Sequence, residues 1–226
     1  NGKLGDGSAL NQSEVPVAVA LDTAQHPATV VSAGWDHSCA VRPGATPTAS
    51  CWGNNGDGCL GTGDETDSDV PVWVVGLSLP TLISAGSHHS CAVQSDAGRC
   101  WGDNLYGQLG DGTNATSFLP VAVSGLTGVV GIGAGAQHSC ARLEGGVVRC
   151  WGANGSGQLG DGTGDGAVLP VTVTGFANAS SLAVGRTHSC VVLEDATARC
   201  WGNNGDGQLG DGTTDPSDIP VEPTGL

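Results

Sequence analysis

One unit of about 50 residues is written over and over along this chain, and that periodicity restricts the fold more than any other feature. "CWG" begins at Cys51, Cys100, Cys150 and Cys200, and "HSC" ends at Cys39, Cys91, Cys140 and Cys190. A glycine-rich element reads "NGKLGDG" at 1–7, "GDGCLGTG" at 56–63, "YGQLGDG" at 106–112, "SGQLGDG" at 156–162 and "DGQLGDG" at 206–212. Pro-Val follows each of these, from Pro16 to Pro220. Between the punctuating Gly, Pro, Asn and Asp lie short apolar or alternating runs, the pattern of strands, and no window sustains a 3.6-residue period with caps. Each unit therefore predicts three or four short strands. A sheet of that size cannot bury both faces alone and must stack on its neighbours, as propeller blades do.

The predicted fold is an all-β propeller, one repeat array over 1–226, with units at 1–54, 55–104, 105–154 and 155–204 and a partial unit at 205–226. At these residues the sequence resembles the regulator of chromosome condensation repeat family. The matching runs are "AGWDHSCAV" (33–41), "AGSHHSCAV" (85–93), "AGAQHSCAR" (134–142) and "VGRTHSCVV" (184–192), each followed by a version of "WGxNxxGQLGDGT". The resemblance covers essentially the whole chain and implies blades of a ring of seven. Its paired cysteines are similar to those of secreted bacterial members. Relatives resemble protein-binding propellers, including an inhibitor of β-lactamases and a nuclear nucleotide-exchange factor, whose exchange activity is not carried over.

The glycine-rich loop raises the question of a ligand. A phosphate loop needs Gly-Lys-Ser/Thr, and the only lysine of the chain, Lys3, is followed by Leu4. A calcium reading would use Asp6, Asp111, Asp161 and Asp211, but the spacing matches no EF-hand and Thr62 stands in the aspartate position of one copy. The preferred reading is a structural turn, in which glycines supply positive φ and Asp or Asn bonds to local backbone. No cofactor is expected on this reading.

Eight of the nine cysteines form four pairs, Cys39/Cys51, Cys91/Cys100, Cys140/Cys150 and Cys190/Cys200, each flanking a predicted hairpin turn. Facing positions on two antiparallel strands suit disulfides, which imply an oxidising, extracellular location. Zinc is the rival, since His37, His89, His138 and His188 precede the first cysteines, but the usual ligand spacings are absent. The histidines are expected to bond to a neighbouring loop's backbone, and Trp52, Trp101, Trp151 and Trp201 to pack between blades, with sugar stacking as the alternative. Cys59, in place of the Gln of "GQLG", is left as a free thiol or one that joins another chain.

Scaffold positions repeat whereas two sets of loops diverge, the stretch after each "GDG" and the turn between paired cysteines. The first set supplies the candidate binding residues Asp64, Glu65, Asp67, Asp69, Asn114, Asp165, Asp215 and Asp218. No catalytic constellation is recognisable, so the expected function is a non-enzymatic binding scaffold that recognises a protein. The net charge of −15 opposes nucleic acid and anionic membranes as partners, and no apolar run is long enough to span a bilayer. The alternative is a structural subunit of an extracellular assembly. On that view the last half-unit, with Ile219, Val221 and Leu226, is an uncovered half-blade, and the chain either belongs to a longer array or assembles head to tail.

Overall fold

The computed structural model describes residues 2–8, 12–20, 27–42 and 48–225. Four antiparallel four-stranded sheets follow one another, each with its strands in sequence order. The first holds β1 (Val30–Ala33), β2 (His37–Arg42), β3 (Thr48–Gly53) and β4 (Ser68–Trp73). The second holds β5 (Pro80–Ala85), β6 (His89–Gln94), β7 (Ala97–Gly102) and β8 (Ser117–Ala122). The third comprises β9 (Val129–Ala134), β10 (His138–Leu143), β11 (Val148–Gly152) and β12 (Ala167–Thr172). The fourth comprises β13 (Ala179–Val184), β14 (His188–Leu193), β15 (Ala198–Gly202) and β16 (Ser217–Val221). These are propeller blades. Their first strands, β1, β5, β9 and β13, contact each other in succession and form the inner side.

The blades fall half a repeat out of phase with units that start at the glycine-rich loop. Each of the four later "PV" segments pairs with the "CWG" strand before it, as Val121 does with Cys100 and Val221 with Cys200. This pairing corrects the expectation of an uncovered terminal half-blade: β16 completes the fourth blade, in the place β12 takes in the third. Ile219 is exposed and Val221 half-buried, whereas Leu226 lies outside the described residues. The outer edge is blunted in every blade by a proline, Pro71, Pro120, Pro170 or Pro220, which offers no N–H to an incoming strand.

The apolar side chains gather between blades. Blades 1 and 2 share a core that includes Val41, Leu60, Val74, Ile83 and Trp101. Val93, Leu109, Val123 and Trp151 join blades 2 and 3, and Val148, Leu159, Val173 and Trp201 join blades 3 and 4. Full burial of each such leucine or valine contributes about 1.5–3 kcal/mol. Blade docking is thus the source of stability for every sheet.

Disulfides join Cys39 to Cys51, Cys91 to Cys100, Cys140 to Cys150 and Cys190 to Cys200. In each blade the register sets the two cysteines opposite one another, as Cys140 and Cys150 are. A bridge closing so short a loop stabilises by about 2–3 kcal/mol in the chain-entropy account. Four bridges fit an oxidising compartment.

Candidate functional site

At the first two junctions one loop carbonyl holds both the serine and the tryptophan of the next blade. The Cys59 carbonyl accepts from Ser90 Oγ–H at 2.9 Å and from Trp101 Nε1–H at 2.8 Å. The Gln108 carbonyl does the same for Ser139 at 2.9 Å and Trp151 at 2.8 Å. Trp201 donates to the Gln158 carbonyl at 2.9 Å, and Trp52 to the Lys3 carbonyl at 3.2 Å. The loop carbonyl of one blade is therefore the socket for the next. Trp101, Trp151 and Trp201 are fully buried, which removes sugar stacking as a role for them.

Each Ser hydroxyl also meets a histidine of the preceding blade. The distances are 2.8 Å for His37 Nε2 and Ser90 Oγ, 2.8 Å for His89 and Ser139, and 3.0 Å for His138 and Ser189. Since Ser90 and Ser139 spend their protons on loop carbonyls, His37 and His89 donate from Nε2–H, and the imidazoles are neutral. The expected partner, loop backbone, is reached through that serine rather than directly. Among the described residues Nδ1 of His37, His89 and His138 has no hydrogen-bond partner, so protonation there would bury an unsatisfied N–H. Burial pushes the pKa of His37 down to about 4, of His89 to about 3 and of His138 to about 4.

The glycine-rich loop is locked by its own side chains. Asn104 Oδ1 accepts from Leu109 N–H at 2.9 Å, and its amide reaches Thr113 and Ala115 carbonyls at 3.1 and 3.0 Å. Asp111 Oδ1 accepts from Thr113 N–H and Oγ1–H, both at 2.9 Å. Asp161 and Asp211 repeat these bonds with Thr163 and Thr213, and Asp6 makes them with Ser8. These bonds hold the Asp6 carboxyl below the usual carboxylate range, and likewise that of Asp211. In the odd copy the pair is reversed: Thr62 Oγ1–H donates to Asp64 Oδ1 at 3.0 Å, and the Asn55 amide holds both. Gly110, at φ 69°, packs so near the Trp151 indole that a Cβ would lie 2.7 Å from Nε1. Among the described residues no three His, Cys, Asp or Glu side chains gather as a metal site.

Cys59 is free and buried, with its Sγ–H directed to the Asn54 carbonyl at 3.0 Å. Burial raises its thiol pKa to about 12. A buried thiol has no route to a second chain, so the intermolecular reading fails on access.

Strand order places the two variable loop sets at opposite ends of the blades. The stretches after "GDG" connect third to fourth strands and share one end with the turns between first and second strands, whereas the hairpins between paired cysteines lie at the other. The sharing is direct: His88, in the β5–β6 turn, sits 2.9 Å from Asp57 of the preceding glycine-rich loop, and Lys3 lies 3.0 Å from Asp36. Of the candidate residues, Glu65, Asp69, Asn114, Asp165, Asp215 and Asp218 are exposed at this end, with Asp69 and Asp218 on β4 and β16. Asp64 and Asp67 are exposed too but serve the loop, Asp67 accepting from Asn55 N–H at 2.8 Å. Residues 43–47, within the longest hairpin, lie outside the described residues.

Sequence reasoning missed an inner ring at the same end. Within "AGxxHS" the two middle positions change in every copy, giving Trp35-Asp36, Ser87-His88, Ala136-Gln137 and Arg186-Thr187, while the rest repeats except for Val184 in place of the first Ala. Their variation inside an otherwise repeated motif was the available signal. These turns surround a cavity of about 300 Å³.

The family model of the regulator of chromosome condensation (RCC1) repeat matches residues 51–93, 100–142 and 146–192, more than half of the sequence. The chain belongs to this repeat family. Among solved structures, human WBSCR16 is similar at TM-score 0.79 and 22% identity, over 92% of this chain and 56% of that one. Prp20p from Saccharomyces cerevisiae aligns at TM-score 0.77 and 22% identity, over 92% of this chain and 52% of that one. The ectodomain of the Physcomitrella patens receptor kinase CR4 aligns at TM-score 0.53 and 28% identity, over 83% of this chain and 44% of that one. The chain spans about half the length of these structures. No curated protein matches the sequence. Membership confirms the expected resemblance and the propeller fold.

Proposed function

We propose that this chain is a non-enzymatic, extracellular protein-binding scaffold that engages its partner with the end carrying the "AGxxHS" turns and the "GDG" loops. The observation that carries this reading is positional: residues that change from blade to blade form two concentric sets there, while the locks between blades repeat. A rigid array that displays variable loops is how propellers recognise proteins. The solved relatives agree in kind, since Prp20p was studied for binding to Gsp1p and histones, and yeast RCC1 was solved bound to Kap60. Extracellular location is supported by the four bridges and by the likeness to a receptor ectodomain. The exposed Glu65, Asp69, Asp165, Asp215 and Asp218 favour a basic partner surface, and the charge of −15 disfavours nucleic acid. Oδ1 of Asp6, Asp111, Asp161 and Asp211 accepts from local N–H and O–H donors, which supports a turn-holding role for these carboxylates over a metal site. Hydrogen exchange with a bound partner tests the reading: protection is expected at 34–36, 86–88, 135–137, 185–187 and 113–117. Protection confined to the hairpins at 95–96, 144–147 and 194–197 would overturn it.

A second reading is a subunit of an extracellular assembly, in which the exposed flank of the fourth blade takes a further blade, from the same protein or from a second copy. His188 is half-buried and makes no side-chain hydrogen bond among the described residues, and Val192 is 39% exposed. Sedimentation at rising concentration separates the two, since a subunit must gain mass.

A further inference from the structure

We infer that the cavity at the centre of the loop end is a carboxylate-binding site, built around Arg186 and Trp35, that takes an acidic side chain or the C-terminal carboxylate of a protein. The inference deepens the partner-binding reading and rests on it for the identity of the ligand's bearer.

Rigidity comes first. Adjacent inner turns are tied by backbone bonds, Trp35 N–H to the Gly86 carbonyl at 3.1 Å, Ser87 N–H to Gly135 at 3.0 Å and Ala136 N–H to Arg186 at 2.8 Å. The approach is so close that a Cβ on Gly86 would lie 2.4 Å from the Gly135 carbonyl oxygen. Neighbouring turns therefore hold their variable side chains at fixed spacing around the axis.

Chemistry follows from what those turns carry. The Arg186 guanidinium lies 4.6 Å from the centre of the Trp35 ring, reaching from the fourth blade to the first. Stacking of that kind orients the guanidinium, while its N–H groups form no hydrogen bond among the described residues. Trp35 itself is 55% exposed. The cavity of about 300 Å³ is lined by Trp35, Ser87, His88, Gln137, Arg186 and Thr187, with no Asp or Glu among its lining residues. In a chain of net charge −15 such a patch stands out. Nearby carboxylates are already engaged, Asp36 by Lys3 and Asp57 by His88. The side chains of Ser87, Gln137 and Thr187 likewise make no hydrogen bond among the described residues, so neutral donors surround the cation. A pre-oriented guanidinium fork matches the two oxygens of a carboxylate. Around it the exposed acids of the outer loops would face basic residues, so the composite partner is a basic surface with one protruding acidic group.

The test uses the whole chain and follows the Trp35 indole N–H by NMR, assigned with Trp35→Phe. The probes are an amidated Gly-Glu-Gly peptide, its Gln counterpart, a triglycine with a free C-terminal carboxylate, and inorganic phosphate. Saturable shifts are expected with the Glu peptide, with the free C-terminus, or with both, which identifies the carboxylate's source, and none with the Gln peptide. Arg186→Gln should weaken binding about tenfold or more, and Arg186→Lys by less, since it retains charge but not the fork. Arg186 is exposed, and both variants should keep the near-UV circular dichroism of the parent. Equal binding by Arg186→Gln, no binding of either carboxylate peptide, or tighter binding of phosphate than of both would overturn the assignment. These probes touch only the inner ring, so failure of the outer loops to select a protein partner would leave their result intact.

Discussion

The junction between the second and third blades and the outward flank of the fourth are built from the same sequence motif and differ in burial and hydrogen bonding. At the junction, His89, Ser139, Trp151 and the Gln108 carbonyl lock together and all four residues are fully buried. On the flank, His188 retains the same place in the strand but meets no serine among the described residues, and Gln208 is half-buried. The β13 strand is correspondingly more exposed than β9. A repeat motif thus specifies one half of a contact. The motif becomes a core element only where the neighbour supplies the other half.

Acid should separate the two regions most strongly. His37, His89 and His138 have native pKa values pushed below the ordinary value of 6.5. Above that value neither state binds these protons, so nothing is lost. As pH falls from there toward about 4, the unfolded chain takes up protons that the native state refuses. Stability then drops by up to about 1.4 kcal/mol per histidine per pH unit. Denaturant midpoints are expected to hold from pH 7.5 to about 6.5 and to decline from there to pH 5, and a series that stays flat or rises below 6.5 breaks the account. Asp6, Asp64, Asp195 and Asp211 act in a separate window: their lowered pKa values stabilise above the ordinary 3.8 and lose that contribution only below it.

Truncation within the lock comes next. Trp151→Ala should cost about 3–5 kcal/mol, from the cavity and the abandoned Gln108 carbonyl. A midpoint change equivalent to less than about 1 kcal/mol would show that the indole is not the element joining the blades. Ser139→Ala is expected to cost about 1–3 kcal/mol by leaving the buried His89 N–H unpaired. His89→Ala should likewise cost about 1–3 kcal/mol and the corresponding change on the flank, His188→Ala, less, so the ratio of these two losses sharpens the comparison directly.

The smallest effect concerns access. Cys140 and Cys150 are fully buried, whereas Cys190 on the flank is half-buried. Mild reductant under native conditions, followed by alkylation and mass spectrometry, should label Cys190 and Cys200 first. Equal labelling of all four bridges would mean that the flank is covered in solution.

Much of this architecture was readable because it is local and repeated. Strand runs, the cysteine pairs facing across hairpins and the turn-forming glycines each depend on residues within a few positions, and four copies average away exceptions. The reversed Thr62 and Asp64 pair was not readable, since its equivalence to Asp111 and Thr113 rests on which atoms meet Asn55. The inner ring was overlooked for a related reason. Two variable residues inside a strand motif look like noise until neighbouring turns bring Trp35 and Arg186 together.

The sequence by itself determined that the chain is an array of small sheets stapled by cysteines, because period, alternation and pairing are properties of the local chain. Tertiary structure alone decided which strand completes each blade, which carbonyl receives serine and tryptophan, and which variable residues share a face. Those outcomes depend on contacts between residues about 30 to 50 positions apart, where the free energy of docking one blade on the next selects among pairings that local sequence leaves equal.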